Sequence, residues 1–596
     1  MKPCSALNFT LLVLLNVLTL WCPSSAENVK KSSSVRRKIR SSYLQPLDCR
    51  LGQWSEWTPC DPCQKKTTRY RKLNQPAKYE GRLCSGSLWD EKACQTSEKC
   101  VPVNNCGEDF QCQDTGRCIK KLSVCNGEQD CRDDSDELNC DNEPPLTFCK
   151  SLFPIPGIEK AVRGYNILTE EDAQNILDPN FFGGECEYIY NGEWREQRYE
   201  PVCEEMYYSD DEKYLRKPYN FHIYQFLARA DTGMSLEIYQ DSTDLVNAIK
   251  RDFSFSFQYT IGISVPESPV GLELGLDFAT KRSFLKNISS YSQKDVEFVR
   301  MVTKIQTARF RMRRNLLALD EDVLLSLMEL PDTYNFGLYS KFISDYGTHL
   351  IMSGKMGGIM ENILVLDKKI MKQLEIQASM VSNCFGGSIG IVLKSETKEL
   401  EGSIKASGKL CKMVDKYNEE GPSSSNALQD VITYVKGGDP ESSGGILNVF
   451  DGSTYRIWGK SLKYNPAVIE SEILPIYEVL KLTGLSGIEA KRQNLKRAFD
   501  EYLNEFDPCR CGPCHNNGIP ILTNNVCTCQ CASGFQGPSC ETTFRKDNKA
   551  DGRWSCWSSW SNCQFGKRQR TRECNNPAPK NGGASCLGKS IEQESC

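Results

Sequence analysis

The chain has 596 residues, 39% of them hydrophobic and 25% charged, which is globular material for roughly three to six domains rather than one. A formal charge of −4 argues against nucleic acid and against simple electrostatic adhesion to anionic lipid. Beyond the first residues, nothing approaches the ~18 consecutive apolar positions of a membrane helix.

The first 26 residues combine a basic Lys2, a Leu-rich run and the small residues Ser24 and Ala26, and read as a secretory signal. Residues 27–40 end in Arg37-x-x-Arg40 and read as a propeptide. Removing these forty residues takes away seven Lys/Arg and one Glu, leaving 66 basic against 76 acidic residues, a net charge of −10. Of the 31 cysteines, Cys4 and Cys22 fall in the signal and 29 remain. Cysteine this dense behind a signal implies an oxidising compartment and disulfide-stapled modules. An odd number leaves one thiol without an internal partner.

Residues 41–101 contain Cys49, Cys60, Cys63, Cys84, Cys94 and Cys100, with Trp54 and Trp57 three apart and Arg69 and Arg71 on alternate positions. Trp and Arg so spaced stack as a cation–π ladder, which replaces the core that a thin domain lacks. The segment resembles a thrombospondin type 1 module. Residues 548–596 repeat the pattern with Trp554, Trp557 and Trp560, then Arg568, Arg570 and Arg572. The resemblance implies C-mannosylation at Trp54, Trp57, Trp554, Trp557 and Trp560.

Six more cysteines lie in residues 104–141, which end in the acidic run CNGEQDCRDDSDELNC. Carboxylates this close repel one another unless a cation sits between them, and hard oxygen ligands suit calcium. The segment is similar to a low-density-lipoprotein-receptor class A repeat. Carried over by position, Asn126, Asp130, Asp136 and Glu137 supply side-chain oxygens, while Ser123 and Glu128 supply main-chain carbonyls. Asn126 stands where the repeat usually has Asp, and still offers an oxygen.

Residues 142–506 hold only five cysteines, Cys149, Cys186, Cys203, Cys384 and Cys411, and form the stretch able to bury a large core. Strand-like runs near 221–240 and 296–313 alternate with helical ones, and GIEAKRQNLKRAFDEYLNEF, residues 487–506, has helical spacing. YSKFISDYGTHLIMSGKMGG, residues 339–358, resembles the signature of the membrane attack complex/perforin family, carried by Tyr339, Tyr346, Gly347, Thr348 and His349. Leu350 replaces the usual aromatic. Gly357 and Gly358 match the paired glycines that bend the family's sheet. The implied fold is multidomain α+β. A central perforin-like domain with a bent antiparallel sheet and helical clusters is flanked by small disulfide-rich modules.

Within this domain, Phe253, Phe255, Phe257, Tyr259, Ile261, Ile263 and Val265 fall on every second position, and after PESP so do Val270, Leu272, Leu274, Leu276 and Phe278. Such strands present one apolar face, and each is long enough for a tilted membrane strand of about 9–11 residues. Period two alone also suits a core hairpin in a soluble sandwich. The resemblance implies the membrane role, since the family stores its first transmembrane hairpin here as helices. A second storage region is expected between Asp367 and Arg456, with Ile389, Ile391 and Leu393 alternating. Asn287 lies in an N-I-S sequon beside the first region, where a glycan has to stay outside any bilayer.

Residues 507–541 look like an epidermal-growth-factor module, implying the pairs Cys511–Cys527, Cys514–Cys529 and Cys531–Cys540. Parity then suggests Cys509–Cys556. Cys149 and Cys186 bracket the start of the central domain and are expected to pair, as are Cys384 and Cys411. That isolates Cys203, in an insertion rich in Tyr and charge. The module order is that of terminal complement components. It implies recruitment by an assembling complex of components five b, six and seven, association with a beta chain, and polymerisation of the ninth component at a target-cell membrane. It also implies a disulfide from Cys203 to a small lipocalin-like gamma chain.

Two other classes compete. An enzyme is disfavoured because the three histidines, His222, His349 and His515, form no triad or metal spacing. An adhesion or matrix protein explains the outer modules but not the perforin-like centre. A beta chain of the same module order, or a relative of the sixth component, is the rival within the family, and Cys203 argues against the beta chain.

Overall fold

The computed structural model describes residues 45–596 apart from 63–64, 99–105, 141–147, 191–196, 201–204, 209–213, 250–282, 374–425, 440–451, 532–534, 544–551 and 580–584, and a scatter of one to three residues elsewhere. Seven antiparallel strands make the central sheet: β1 (Arg163–Asn166), β2 (Glu171–Asn175), β3 (Phe221–Tyr239), β4 (Val296–Met312), β5 (His349–Asp367), β6 (Leu428–Lys436) and β7 (Ala467–Pro475). The order is β3-β4-β5-β1-β2, with β6 and β7 both pairing β5. Much of β4 and β5 is buried on both faces, which is why ILVL, residues 363–366, is a continuous apolar run rather than an alternating one.

The sheet bends along one line. β5 pairs β7 from His349 to Gly357, then pairs β6 from Ile359 onward. At the same level β4 breaks register between Gln306 and Ala308, and β3 between Phe226 and Asp231. Irregularities of this kind add local twist and bend a strand. Gly357 has φ +155°, and a Cβ there would lie 1.9 Å from the Ile305 carbonyl oxygen. Over the bend sits Trp458, fully buried, which donates from Nε1 to the Gly437 carbonyl at 3.0 Å.

Each face has its own apolar cover. Phe298, Ile363, Val365, Ile432 and Tyr434 pack against Leu245, Ile249, Phe284, Leu285 and Ile288. On the other face Val299, Met301, Ile305, Met360 and Leu364 pack against Trp458 and Leu462. Below the bend a larger core gathers α1 (Glu321–Glu329), α2 (Phe336–Tyr346) and the closing helix α3 (Glu489–Glu505). Asp320 caps α1 by accepting from the Asp322 amide, and Asn335 caps α2 by accepting from the Leu338 amide.

The outer modules are thin and stapled. Arg69 lies 4.5 Å from the ring centres of both Trp54 and Trp57, and Arg71 lies 4.3 Å from Trp54, so the ladder forms as the spacing expects. Disulfides join Cys49–Cys84, Cys60–Cys94, Cys106–Cys118, Cys112–Cys131 and Cys125–Cys140 in the first two modules. Cys149–Cys186, Cys511–Cys527, Cys514–Cys529 and Cys531–Cys540 are joined as expected from the sequence. Cys509 is disulfide-bonded. Cys203, Cys384, Cys411, Cys556, Trp557 and Trp560 lie outside the described residues.

Candidate functional site

The alternating residues from Phe253 to Phe278, and Ile389, Ile391 and Leu393, also lie outside the described residues. What the structure describes is the frame that holds both segments. Tyr239, the last residue of β3, pairs Phe298 near the start of β4, so residues 240–295 leave and rejoin neighbouring antiparallel strands at one end. Leu366, one residue before the end of β5, pairs Leu428 at the start of β6, so residues 368–427 do the same. β3, β4, β5 and β6 are adjacent in that order at this end of the sheet. Either segment, drawn out as a hairpin, extends an existing strand pair with no crossing.

The flanks of the first segment are helical. Ser242, Leu245, Ala248 and Ile249 on one side, and Phe284, Leu285 and Ile288 on the other, adopt helix and are buried. Asn287 lies in the second flank with its side chain exposed. Beneath this cover, between Phe298 and Val302 on the same strand face, Arg300 is buried. Its Nε meets Glu361 Oε1 at 2.7 Å and its terminal nitrogen meets Glu237 Oε2 at 3.2 Å. Arg300 and Glu361 carry no mark in the sequence, where they look like ordinary surface charges.

The signature residues act as a pin. Tyr339 is fully buried and donates to the Pro331 carbonyl at 2.8 Å. Gly347, at φ +82°, ends α2 where a Cβ would lie 2.8 Å from the Tyr165 amide nitrogen, so a side chain has no room. Thr348 Oγ donates to the Tyr165 carbonyl at 2.9 Å and accepts from the Ile167 amide at 2.9 Å. His349 is buried with Nδ1 2.8 Å from Thr348 Oγ, and burial pushes its pKa down to about 3. His222 and His515 are exposed. Among the described residues no group of three or more His, Cys, Asp or Glu is arranged to hold a metal.

The acidic module offers a mixed oxygen set instead. Asp130 and Asp136 are buried. Asn126 Oδ1 accepts from the Glu128 amide at 2.7 Å and its Nδ2 donates to Asp130 Oδ2 at 3.0 Å. Asp136 Oδ2 accepts from the Asp130 amide at 2.7 Å, while its Oδ1 is buried with no hydrogen-bond partner. Glu137 accepts from the Gly127 amide at 2.9 Å. Burial raises the Asp130 pKa to about 6. An orphaned, fully buried carboxylate oxygen among hard donors fits a calcium ion.

The profile of the MAC/Perforin domain matches residues 157–512. The chain belongs to the MAC/perforin family. Around this MAC/perforin domain, residues 104–140 match the low-density lipoprotein receptor domain class A, and residues 52–100 and 552–596 match the thrombospondin type 1 domain. Residues 514–542 match the EGF-like domain shared by the alpha and beta chains of complement component C8 and by component C6. The complement component C8 alpha chain of Oryctolagus cuniculus is 48% identical over 97% of this chain and 99% of its own length. The C8 beta chain of Mus musculus is 32% identical over 92% of this chain and 90% of its own. Complement component C7 of Pongo abelii is 29% identical over 94% of this chain and 63% of its own.

Proposed function

We propose that this chain takes the role of a C8 alpha chain in the membrane attack complex: a secreted subunit that joins the assembling complex and drives two β-hairpins into the target bilayer. The observation that carries the reading is the strand order at one end of the sheet. Residues 240–295 and 368–427 each bridge neighbouring antiparallel strands, and β3 to β6 are contiguous there. Release of the helical flanks lets each strand pair lengthen into lipid with its backbone hydrogen bonds continued. A single chain still has open edges, and each unpaired amide in lipid costs several kcal/mol, so only a closed ring of subunits is stable.

The partners follow from this role. An assembling complex of components five b, six and seven recruits the chain, a beta chain accompanies it, and the ninth component polymerises onto it. Cys203 joins a gamma chain by a disulfide, and replacing it with Ser is expected to abolish release of a small chain by reductant on a gel. Asp130, Asp136, Asn126 and Glu137, with the carbonyls of Ser123 and Glu128, would hold a calcium ion, which would supply the positive charge the two buried carboxylates call for. Trp54, Trp57, Trp554, Trp557 and Trp560 are the candidate mannosylation sites.

Probes on neighbouring residues test the membrane role. Phe257→Cys and Gln258→Cys, each labelled with a polarity-sensitive dye, are expected to report lipid at 257 and water at 258 once a target membrane is lysed. Equal polarity at the two positions overturns it.

A further inference from the structure

The proposed calcium donors also touch another part of the chain. Of the six proposed donors, two act through the main chain, Ser123 and Glu128, and both lie against the base of the insertion that carries Cys203. Gly184 faces Ser123 so closely that a Cβ on the glycine would lie 2.7 Å from Ser123 Oγ. Glu128 is gripped by Arg216, whose two terminal nitrogens meet its two carboxylate oxygens at 2.6 and 2.7 Å. The pair is nearly dry, with side chains 8% and 16% exposed.

Arg216 is itself anchored in the insertion's root. It also donates to the Glu185 carbonyl at 3.2 Å, and its guanidinium stacks 3.9 Å from the Phe182 ring. Its strand, Tyr214–Arg216, pairs with Tyr188–Tyr190, and between them the chain runs out through the paired strands Gln197–Glu200 and Glu205–Tyr208. Residues 201–204, Cys203 among them, connect that pair. Both chain ends of the insertion therefore meet the module at the loop that carries the proposed calcium donors.

We propose that Arg216 is a positioning residue for the calcium site, and that calcium occupancy and the seating of the Cys203 insertion are coupled through it. The inference rests on the calcium reading above. A carbonyl turned inward to a cation fixes the Glu128 backbone and presents its carboxylate outward to the guanidinium. The Asn126 side chain already holds the Glu128 amide at 2.7 Å, and an ion at the Glu128 carbonyl would add a second tie that keeps its carboxylate in register with Arg216. Coupling of this kind is reciprocal: the ion pair that orders Glu128 in advance also strengthens calcium binding. The module stays docked without it, because Arg117 pairs with Asp178 at 2.8 Å and with Glu321 at 3.2 Å.

The test uses the full secreted chain, titrated with calcium by calorimetry and followed by hydrogen exchange in calcium and in chelator. In the wild type, calcium is expected to protect residues 186–190 and 205–216 as well as 118–137. Arg216→Gln is expected to keep protection of 118–137, lose it in the insertion, and bind calcium roughly tenfold more weakly, within the range of typical couplings. Arg216→Lys is expected to fall between the two. Arg132→Gln, which breaks only the exposed pair with Asp322, is expected to change neither readout. Calcium that protects 118–137 but leaves the insertion unchanged overturns the coupling and leaves the metal site standing. A chain that binds no calcium at all sinks both.

Discussion

Tyr70, in the amino-terminal thrombospondin type 1 module, donates a 2.6 Å hydrogen bond to Glu505 Oε1 at the last turn of the closing helix, 435 residues later in the chain. The same carboxylate oxygen accepts from the Leu73 amide at 2.8 Å, and Arg510 returns two bonds to the carbonyls of Leu73 and Asn74. Burial and the neighbouring Glu505 carboxylate hold the Tyr70 phenol well above its ordinary pKa, so it remains a donor. The tyrosine ring also meets Phe336 edge-on at 5.5 Å, which ties the module to α2.

Tyr70→Phe keeps the ring and removes one bond to a charged group. The expected loss is about 1.5–3 kcal/mol of docking stability, read as faster hydrogen exchange in residues 66–75 with little change in the central sheet. Unaltered exchange there would show that ring packing alone holds the module.

Gly357→Ala is expected to cost at least ~3 kcal/mol, since strained backbone alone accounts for 1–3 and the new Cβ meets the Ile305 carbonyl at 1.9 Å. Secretion yield and thermal melting measure it. Gly459, in the helix Gly452–Ser461, is the control, because its nearest contact for a Cβ is Ile305 Cδ1 at 3.6 Å. There Ala is expected to stabilise by ~0.5–1 kcal/mol through helix propensity.

Arg300 and Glu361 make a buried pair, 5% and 2% exposed. Arg300→Met takes the guanidinium away from the buried Glu361 and is expected to cost ~3–5 kcal/mol, while Glu361→Leu is expected to cost less, since Arg300 keeps Glu237 at 3.2 Å. The double variant is expected to recover most of that loss or exceed the wild type. The pair lies beneath the helical flanks of residues 240–295, so release of those flanks would return it to water. The double variant should therefore also slow lysis, since an apolar pair gains nothing from that exposure. Lysis at the wild-type rate by a more stable double variant would separate the pair from the release step.

His349 sets a pH dependence. Its ordinary pKa is near 6.5 and burial lowers it to about 3 in the fold, so the native state binds fewer protons than the unfolded one. Stability is fully present above 6.5 and falls as pH drops toward 3, by up to ~1.4 kcal/mol per unit within that window. His349→Asn cannot take the proton, and its melting temperature is expected to fall less between pH 6.5 and 5 than that of the wild type. Parallel curves for the two proteins would assign the acid sensitivity elsewhere.

Local pattern explains what could be read without a fold. Cysteine spacing with Trp54, Trp57, Arg69 and Arg71 marks a ladder because its members lie within twenty residues, the Trp three apart and the Arg on alternate positions. Residues 487–506 announce a helix, found at Glu489–Glu505, because a 3.6-residue period survives any tertiary setting. The signature from Tyr339 to Gly358 was legible through its resemblance to the family's motif, although its roles as pin and bend needed Tyr165 and Ile305 in place.

The order of modules, the family and the two segments of alternating character were all legible from residue order. That those segments spring from neighbouring strands, that Arg300 and Glu361 are buried, and that Glu128 answers to Arg216 emerged only once the chain was folded. Those relations join residues about 60 to 88 positions apart, and each charged side chain alone is an ordinary surface charge. What makes them a site is desolvation and distance, and neither has a period that a sequence can display.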